Sequence, residues 1–272
     1  MTLDCSVKGA ACRLCGAEVV DCFKLLVLNK YSVAYQRCSG CGSLQTESPF
    51  WSDEAYRGGH LATLDTGAAQ RNLMNLAAAY ATARTLRLSR VLDFGAGDGL
   101  LCRLLRDLAV DCYAFDRYAS STYAAGFTRS DWTDIDLLLL FEVFEHFQRP
   151  GQELQDIFRA QPKAILGSTC WYSGQDSSWW YLTPETGQHV FFYSRGALQS
   201  VARSYGYDSV ISGAYMLLVR AGSYSTVRLR LLRLLLNRIT LRLLGAGLRL
   251  LPTPGVWRDF DRLKNNSRKA RK

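Results

Sequence analysis

The chain has 272 residues, of which 48% are hydrophobic and 21% are charged, a composition typical of a folded globular protein. Its formal net charge is +9, but residues 223–272 hold 13 of the 33 Lys/Arg and 2 of the 24 Asp/Glu, which leaves 20 basic and 22 acidic residues elsewhere. The body, at −2, therefore gives no reason to expect a protein that binds nucleic acid specifically.

The start of the chain has neither the basic nor the apolar region of a secretory signal peptide. We find no run of about 18 apolar residues that would predict a transmembrane helix. The nine cysteines then favour a reducing compartment, and we expect a cytoplasmic protein. Motifs and composition divide the chain into four parts, residues 1–50, 51–88, 89–222 and 223–272.

Four cysteines in the first part form a repeated motif. Cys12-x-x-Cys15-Gly16 and Cys38-x-x-Cys41-Gly42 are separated by 22 residues that contain predicted strands. Each motif aims two thiolates at one point, and four thiolates complete a tetrahedral Zn²⁺ site. We therefore predict a zinc ribbon over residues 1–50 with a structural metal that supplies much of its stability. An unmetallated or redox-active pair of motifs is the alternative, and Cys5 and Cys22 are expected to be free thiols.

The second part is a predicted connector. Residues 68–88 are rich in Ala, Leu, Arg and Asn without Gly or Pro, which predicts a helix. Asp65-Thr66-Gly67 before it is typical of a loop and helix cap. His60, Asp65 and Arg71 either close over a ligand or are surface residues of a linker, and the linker interpretation is favoured.

The third part begins with a glycine-rich turn. Residues 91–94 predict a buried strand with Asp93 near its end, and Gly95, Gly97 and Gly99 follow at alternate positions before a predicted helix. Such glycines let a backbone approach a ligand closely, and the helix start offers free N–H groups. By itself the pattern also occurs in glycine turns of other α/β proteins.

Acidic residues follow the next strands. A strand over 110–115 ends at Asp116, about 20 residues past the glycines, where nucleotide-binding folds hold ribose hydroxyls. A short third strand over 127–130 precedes Asp131 and Trp132. The apolar run 135–141 predicts a strand that is buried on both faces.

The sequence Glu142-Val143-Phe144-Glu145-His146 follows that buried strand. Ligands of open α/β sheets bind at the carboxyl ends of the strands, so we expect Glu142, Glu145 and His146 to face a reaction cleft. A fifth strand over Ala164–Ser168, a helix over 198–205 and a hairpin of 209–211 with 215–219 complete the predicted order.

The glycine motif, Asp116 and the E-V-F-E-H element together resemble class I S-adenosylmethionine (SAM) methyltransferases over about residues 90–222. The resemblance implies an α/β fold with a Rossmann-like seven-stranded sheet whose last strand is antiparallel, here with an N-terminal zinc ribbon and a basic helical tail. Asp131 is then either a ligand of the adenine amine or a helix cap, and Trp132 either an adenine-stacking ring or a core aromatic. The cofactor-binding residues that the resemblance implies are Asp93, Gly95, Gly97, Gly99, Asp116, Asp131, Trp132 and Phe141.

A hydroxyl acceptor would require a base or a metal, because SAM activates only the methyl group. Glu142, Glu145, His146 and the distant His189 are similar to the E-x-x-E-H plus His set of small-RNA 2′-O-methyltransferases, and ubiquinone-pathway O-methyltransferases share its first part. In those families a divalent ion lies next to the substrate hydroxyls, which implies Mg²⁺ or Mn²⁺ here. Three roles stay open: metal ligation, His146 as a base, and a structural role.

An unusually aromatic segment, residues 171–193, contains Tyr181, Glu185 and Gln188 as candidate substrate contacts, whereas Phe191 and Phe192 are expected to pack in the core. The cysteine motifs and the W-Y-L-x-P-E-x-G-Q-H sequence resemble a bacterial subgroup associated with surface polysaccharides and secondary metabolites. This resemblance implies O-methylation of a sugar, polysaccharide or glycolipid-linked acceptor. N- or C-methylation of a nucleotide sugar or natural product, and a SAM-binding scaffold without catalysis, are the alternatives.

The fourth part predicts a basic amphipathic helix and a disordered end over 268–272. Its predicted apolar face is made by Leu229, Leu232, Leu236, Ile239 and Leu243. A helix of this kind is typical of attachment to an anionic membrane surface. A partner or dimer helix and an RNA-binding tail are the competing interpretations.

Overall fold

The computed structural model of the protein describes residues 10–57 and 64–269. Cys5 and His60 lie outside the described residues. The chain forms two compact units. The first consists of residues up to 64, 144–156 and 170–201, and the second of residues 65–143, 157–169 and 202 onward.

The first unit contains a four-stranded antiparallel sheet. Its strands are β1 (Val19–Val27), β2 (Tyr31–Cys38), β3 (Leu44–Thr46) and β8 (Phe191–Phe192), in that order across the sheet. A tight turn joins β1 to β2 through Leu28 and Asn29, which both have φ +54°, the backbone that two-residue hairpin turns require. β8 comes from much later in the chain and pairs with β3.

One hydrophobic core holds the first unit together. Tyr35 of β2 is buried with Tyr181 and Phe192, and Trp51 donates its Nε1–H to the carbonyl of Gly187 at 2.9 Å. The predicted burial of Phe191 and Phe192 is confirmed. The N-terminal strands and the aromatic segment therefore fold around the same side chains.

The second unit contains a six-stranded mixed sheet in the order β5-β4-β6-β7-β10-β9. β10 runs antiparallel to both of its neighbours, as the resemblance implies, and the remaining pairs are parallel. Every residue of β6 is buried, which explains its continuous apolar sequence. The strands are β4 (Arg90–Phe94), β5 (Asp111–Phe115), β6 (Leu137–Phe141), β7 (Ala164–Ser168), β9 (Tyr207–Ser212) and β10 (Tyr215–Arg220).

The prediction of seven strands is wrong, since this sheet has six. The strand predicted over 127–130 is reduced to a single parallel bridge between Ala114 and Thr128. Ala114 donates to the carbonyl of Phe127 and accepts from the N–H of Arg129. Gly126, just before Phe127, has the left-handed φ of +79°. The segment therefore pairs with β5 only at Ala114.

Helices alternate with the strands. The helix predicted over 68–88 ends at Leu86, because Arg87 adopts φ +56° and its N–H turns back to the carbonyls of Ala83 and Arg84. The side chains of Ala77, Ala78 and Leu137 belong to the same buried cluster. The helices before the tail are α1 (Ser52–Arg57), α2 (Ala68–Leu86), α3 (Leu100–Asp107), α4 (Pro150–Arg159) and α5 (Arg195–Ser204).

The tail forms three helices, α6 (Thr226–Leu235), α7 (Arg238–Leu248) and α8 (Pro254–Lys269). α6 and α7 contact α2, and α8 contacts α3. The end of α8 includes Arg268 and Lys269, where disorder was predicted, and residues 270–272 lie outside the described residues. None of the helices within residues 10–57 and 64–269 is both long and apolar enough to cross a membrane.

The single apolar face predicted for the tail is wrong. Leu232 and Leu236 are buried in the core of the second unit, whereas Ile239 is 70% and Leu243 71% exposed. The reason is a helix break at Asn237, whose side chain accepts from the N–H of Ile239 and caps a new helix. The predicted apolar face assumed one continuous helix, and the break at Asn237 makes that assumption wrong.

Candidate functional site

The glycine turn lies between β4 and α3 in the second unit. Gly95, Gly97 and Gly99 have φ values of +73°, +56° and +83°, which favour glycine. A Cβ atom on Gly95 would lie 2.7 Å from Cγ2 of Val143, and one on Gly99 would lie 2.8 Å from Cβ of Ala124. A Cβ on Gly97 would meet nothing within 4 Å, so the backbone of Gly97 borders open space.

Asp116 holds this turn in place from the end of β5. Its Oδ2 accepts from the N–H of Gly97 at 2.8 Å. Its Oδ1 accepts from the N–H groups of Tyr118 and Ala119, also at 2.8 Å. The structure therefore brings the glycines and Asp116 together, in the arrangement that nucleotide-binding folds use for a ribose.

Asp93 is a buried acid near the end of β4. Burial raises the pKa of its carboxyl group to about 7, and the charges of Asp116 and Asp98 act in the same direction. Among the described residues, its Oδ2 has no hydrogen-bond partner. A carboxylate in these surroundings would be stabilised by a cation, which fits the charge of a sulfonium or ammonium ligand.

The residues predicted to contact adenine have protein partners. The ring of Trp132 stacks on Phe94 with centroids 4.8 Å apart, and Asp131 forms an ion pair with Arg129. Phe141, the last residue of β6, lies edge-on to Tyr215 at 6.1 Å. Trp132 is thus part of an aromatic cluster, and its role toward a cofactor stays a prediction, as does that of Asp131.

Glu142 follows β6 directly and has φ +54°. Its Oε1 accepts from the hydroxyl of Ser168 at 2.7 Å, and its N–H donates to the Ser168 carbonyl. A left-handed backbone at a residue other than glycine is strained and is often found at functional sites. Glu142 belongs to the second unit, whereas Glu145, His146 and His189 belong to the first.

Glu145, His146 and His189 form a compact group. Their ligand-type atoms all lie within 4.8 Å of one another, and the two imidazole rings meet edge-on at 5.0 Å. The Nδ1 atom of His189 lies 2.7 Å from the carbonyl of Tyr181. This contact requires Nδ1–H as the donor, so in the neutral ring Nε2 is the nitrogen that carries the lone pair.

His146 is neutral at ordinary pH. Burial lowers its pKa to about 3, and the charge of His189 acts in the same direction. The hydroxyl of Tyr56 lies 3.4 Å from its Nδ1 atom. A neutral imidazole can accept a proton or bind a metal ion, so the geometry is compatible with both predicted chemical roles.

A residue that the sequence did not single out, Arg13, connects the two segments that carry these side chains. Its guanidinium donates to the carbonyl of Val190 at 2.5 Å and to that of Gln148 at 3.1 Å. The N–H of Val190 donates to the carbonyl of Glu145. The only local signal is an arginine inside a Cys-x-x-Cys motif, and nothing in that motif indicates where the side chain reaches.

The four predicted metal ligands are brought together in the first unit. The Sγ atoms of Cys12 and Cys41 are 3.7 Å apart, and those of Cys15 and Cys38 are 3.5 Å apart. Zn–S bonds of about 2.3 Å in a tetrahedron place the sulfurs roughly 3.8 Å apart. The contact between Cys12 and Cys41 lowers the pKa of the Cys41 thiol and raises that of Cys12. The residues therefore fit a zinc ion in spacing and in chemistry.

The remaining candidates have contacts within their own units. Tyr181 is buried, and Gln188 is buried and donates to the carbonyl of Ala55 at 3.1 Å. Glu185 is exposed. In the connector, Asp65 and Arg71 form an ion pair.

The mixed sheet with antiparallel β10, the glycine turn and Asp116 at the end of β5 match the fold of class I SAM-dependent methyltransferases. The chain belongs to the methyltransferase domain family, whose family model matches residues 63–212. A comparison with curated proteins finds no match.

Solved structures of methyltransferases are similar to this chain. A 1,6-didemethyltoxoflavin-N1-methyltransferase from Burkholderia thailandensis has 14% identity and a TM-score of 0.48, over 70% of this chain and 96% of that one. A magnesium protoporphyrin IX methyltransferase from Synechocystis PCC 6803 has 12% identity and a TM-score of 0.45, over 64% and 93%. The methyltransferase domain of bacterial CtHen1 has 19% identity and a TM-score of 0.42, over 56% and 99%. All three TM-scores are below 0.5, so the family assignment rests on the family model.

Proposed function

We propose that the protein transfers the methyl group of SAM to a hydroxyl oxygen of a sugar, polysaccharide or glycolipid-linked acceptor. The observation that carries the choice of oxygen is the half-buried His146, whose ligand-type atoms lie within 4.8 Å of those of His189 and Glu145. A hydroxyl group must lose a proton when it is methylated, and an imidazole beside a carboxylate provides the base, or the metal ligands, that this step needs.

The second unit would bind SAM, which supplies a methyl group activated by its sulfonium. The open space beside Gly97 would admit the cofactor. Asp116, whose carboxylate already accepts from the N–H of Gly97, would also accept from its ribose hydroxyls. The carboxylate of Asp93 stabilises its positive charge. The enzyme would hold the acceptor oxygen, the methyl carbon and the sulfur in line. This positioning would account for much of the rate enhancement.

For the acceptor, the support comes from the aromatic segment of the first unit. Trp180 is 72% exposed and its ring meets Tyr181 edge-on at 5.3 Å. An exposed indole face is suited to a sugar ring. A glycolipid-linked acceptor would be presented at the cytoplasmic face of a membrane.

We also propose two metal roles. Cys12, Cys15, Cys38 and Cys41 would hold a structural Zn²⁺. Glu145, His146 and His189 would hold Mg²⁺ or Mn²⁺ as an alternative to direct proton transfer to His146, because carboxylate and imidazole ligands suit such ions.

The test is transfer of labelled methyl from SAM to a set of glycans and polyprenyl-linked sugars. We expect label on oxygen, with His146→Gln lowering kcat on the order of 10²–10⁴-fold while binding of S-adenosylhomocysteine is unchanged. Tyr56→Phe, which removes only the hydroxyl near Nδ1, serves as the matched control and should retain most activity. Adding Mg²⁺ or Mn²⁺ back after EDTA treatment separates the metal role from the base role.

Two results would contradict this proposal. Label on nitrogen or carbon of a nucleotide sugar or natural product would support the alternative acceptor class. Binding of S-adenosylhomocysteine without transfer to any acceptor would indicate a scaffold that has lost catalysis.

A further inference from the structure

The tail carries most of the exposed large apolar side chains of the protein. In the part of the chain that the structure describes, 18 such side chains are exposed and 10 of them lie in α6–α8 and the turns between these helices. Leu234, Ile239, Leu243 and Trp257 are 69–71% exposed, and Leu250 is 87% exposed. We call this set the tail surface; it consists of Val227, Leu231, Leu234, Ile239, Leu243, Leu250, Leu251, Val256, Trp257 and Phe260.

These exposed side chains are not a by-product of core packing. In α6, Val227, Leu231 and Leu234 follow the spacing of one helix face, whereas Leu232 on the other side is completely buried. In α7, Ile239 and Leu243 are exposed, while Leu241 and Leu248 pack in the core. Each helix therefore has two apolar faces, and the core uses only one of them. Helix faces with several large exposed apolar side chains of this kind often mark a binding site.

The charge around the tail surface is almost entirely positive. Asp259 is buried and paired with Arg103 and Arg106, which leaves Asp261 as the exposed acid between residues 226 and 269. Eleven basic residues in this interval are all exposed: Arg228, Arg230, Arg233, Arg238, Arg242, Arg249, Arg258, Arg262, Lys264, Arg268 and Lys269.

We propose that the tail surface binds the interface of an anionic phospholipid bilayer. The apolar faces of α6 and α7 enter the boundary between headgroups and acyl chains, and the arginines contact lipid phosphates. RNA would use the arginines but leave Leu234, Ile239 and Leu243 in water. A protein partner could bury these side chains but would have to supply many acidic groups, whereas an anionic bilayer provides both environments.

The surface is preformed by the fold of the second unit. α8 is fixed to α3 by Asp259, which accepts from Arg106 at 2.7 and 2.8 Å. The buried leucines of α6 and α7 hold these helices on α2. The apolar faces are thus available without a folding step, which reduces the entropic cost of membrane binding.

The experiment measures flotation of the full-length protein with vesicles of phosphatidylcholine, with and without phosphatidylglycerol. We expect binding to the anionic vesicles that weakens with added salt, and at least a tenfold loss for the triple variant Leu234→Ser/Ile239→Ser/Leu243→Ser. The matched control replaces two exposed apolar residues of β1, Val20→Ser/Leu26→Ser, and should bind as the wild type does. All three positions of the triple variant are exposed, so its thermal unfolding and its binding of S-adenosylhomocysteine should be unchanged.

Equal flotation of the wild type and the triple variant would overturn the proposal. Binding of RNA without binding of vesicles would also overturn it. So would a wild-type protein that does not bind vesicles but forms a dimer, if the triple variant is a monomer. The assay contains no methyl acceptor, so its failure would leave the proposed methyl transfer untouched.

Discussion

At the scale of single residues, we propose that Asp93 couples cofactor binding to protonation. Its pKa is raised to about 7 by burial, so part of the population is protonated near neutral pH. A bound cation favours the carboxylate, and SAM would therefore displace a proton when it binds. We expect the affinity for SAM to rise between about pH 6 and about pH 8, and Asp93→Asn to bind more weakly and to lose this dependence.

Calorimetry in buffers of different ionisation enthalpy counts the released proton. Asp261→Asn is the control, because Asp261 is exposed and is not among the groups that act on the pKa of Asp93, so it should leave the pH profile intact. The stability of the unliganded protein should depend on pH with the opposite sign. The folded state holds the Asp93 proton more tightly than the unfolded chain, so the free energy of unfolding should fall as pH rises from about 4 through 7. Affinity that is independent of pH in the wild type would refute this coupling.

Arg13 is a second residue whose role depends on its contacts. Its guanidinium reaches the carbonyls of Thr46, Gln148 and Val190, and burial lowers its pKa to about 10. One ammonium group cannot reproduce this planar arrangement of donors. We expect Arg13→Lys to lose about 1–3 kcal/mol of stability and to lower kcat, because Val190 adjoins His189. Urea unfolding measures the first effect and methyl transfer the second.

The exposed Arg37 provides the matched substitution, Arg37→Lys, which should change neither quantity. An Arg13→Lys protein with wild-type stability would mean that the carbonyl contacts contribute little. A stable protein with reduced kcat would separate positioning of the histidines from support of the fold.

At the scale of elements, the cysteine motifs should contain one zinc ion per chain. β2 ends at Cys38, and the four sulfurs lie within 4.8 Å of one another. A metal ion bound to them would therefore tie the end of this strand to the turn of Cys12 and Cys15. We expect Cys41→Ser to lose the metal and to lower the thermal unfolding temperature strongly. Cys22→Ser, at an exposed thiol outside the motifs, should do neither. Elemental analysis without zinc, together with four freely titrating thiols in the folded protein, would contradict the assignment.

The same elements show what local sequence can and cannot predict. The buried β6 and the hairpin of β9 and β10 follow from apolar runs and turn residues, and both are confirmed. The third strand is wrong because its extended residues pair with Ala114 alone. The length of a pairing is decided by the partner strand, and a pattern within one segment does not contain that information.

The candidate site also contains some features that local sequence predicts and others that it does not. The glycines and Asp116 are neighbours because β4 and β5 are adjacent parallel strands, which a βαβ pattern predicts. His189 was a candidate only through a resemblance, since 43 positions separate it from His146. Arg13 was missed because its partners come from three distant segments.

At the scale of the whole molecule, the tail is part of the fold rather than an appendage. Leu232, Leu236, Leu241 and Leu248 complete the core that the sheet and α2 begin. Deleting residues 226–272 would therefore uncover that core, and a truncated protein would not be a sound reference for membrane binding. Point substitutions on the exposed faces avoid this difficulty.

The attachment of α8 gives the last prediction. The side chains of Arg106 and Asp259 are 1% and 2% exposed and lie 2.7 Å apart. Asp259→Asn would leave the buried guanidinium with only the half-exposed Asp111 as its counter-charge, and we expect a loss of about 3–5 kcal/mol in the free energy of unfolding. Asp261→Asn, two residues away and exposed, should change it little. The double variant Arg106→Met/Asp259→Leu should recover much of the loss, because apolar side chains can replace a buried pair. If Asp259→Asn unfolds in urea like the wild type, the ion pair does not hold α8 on α3.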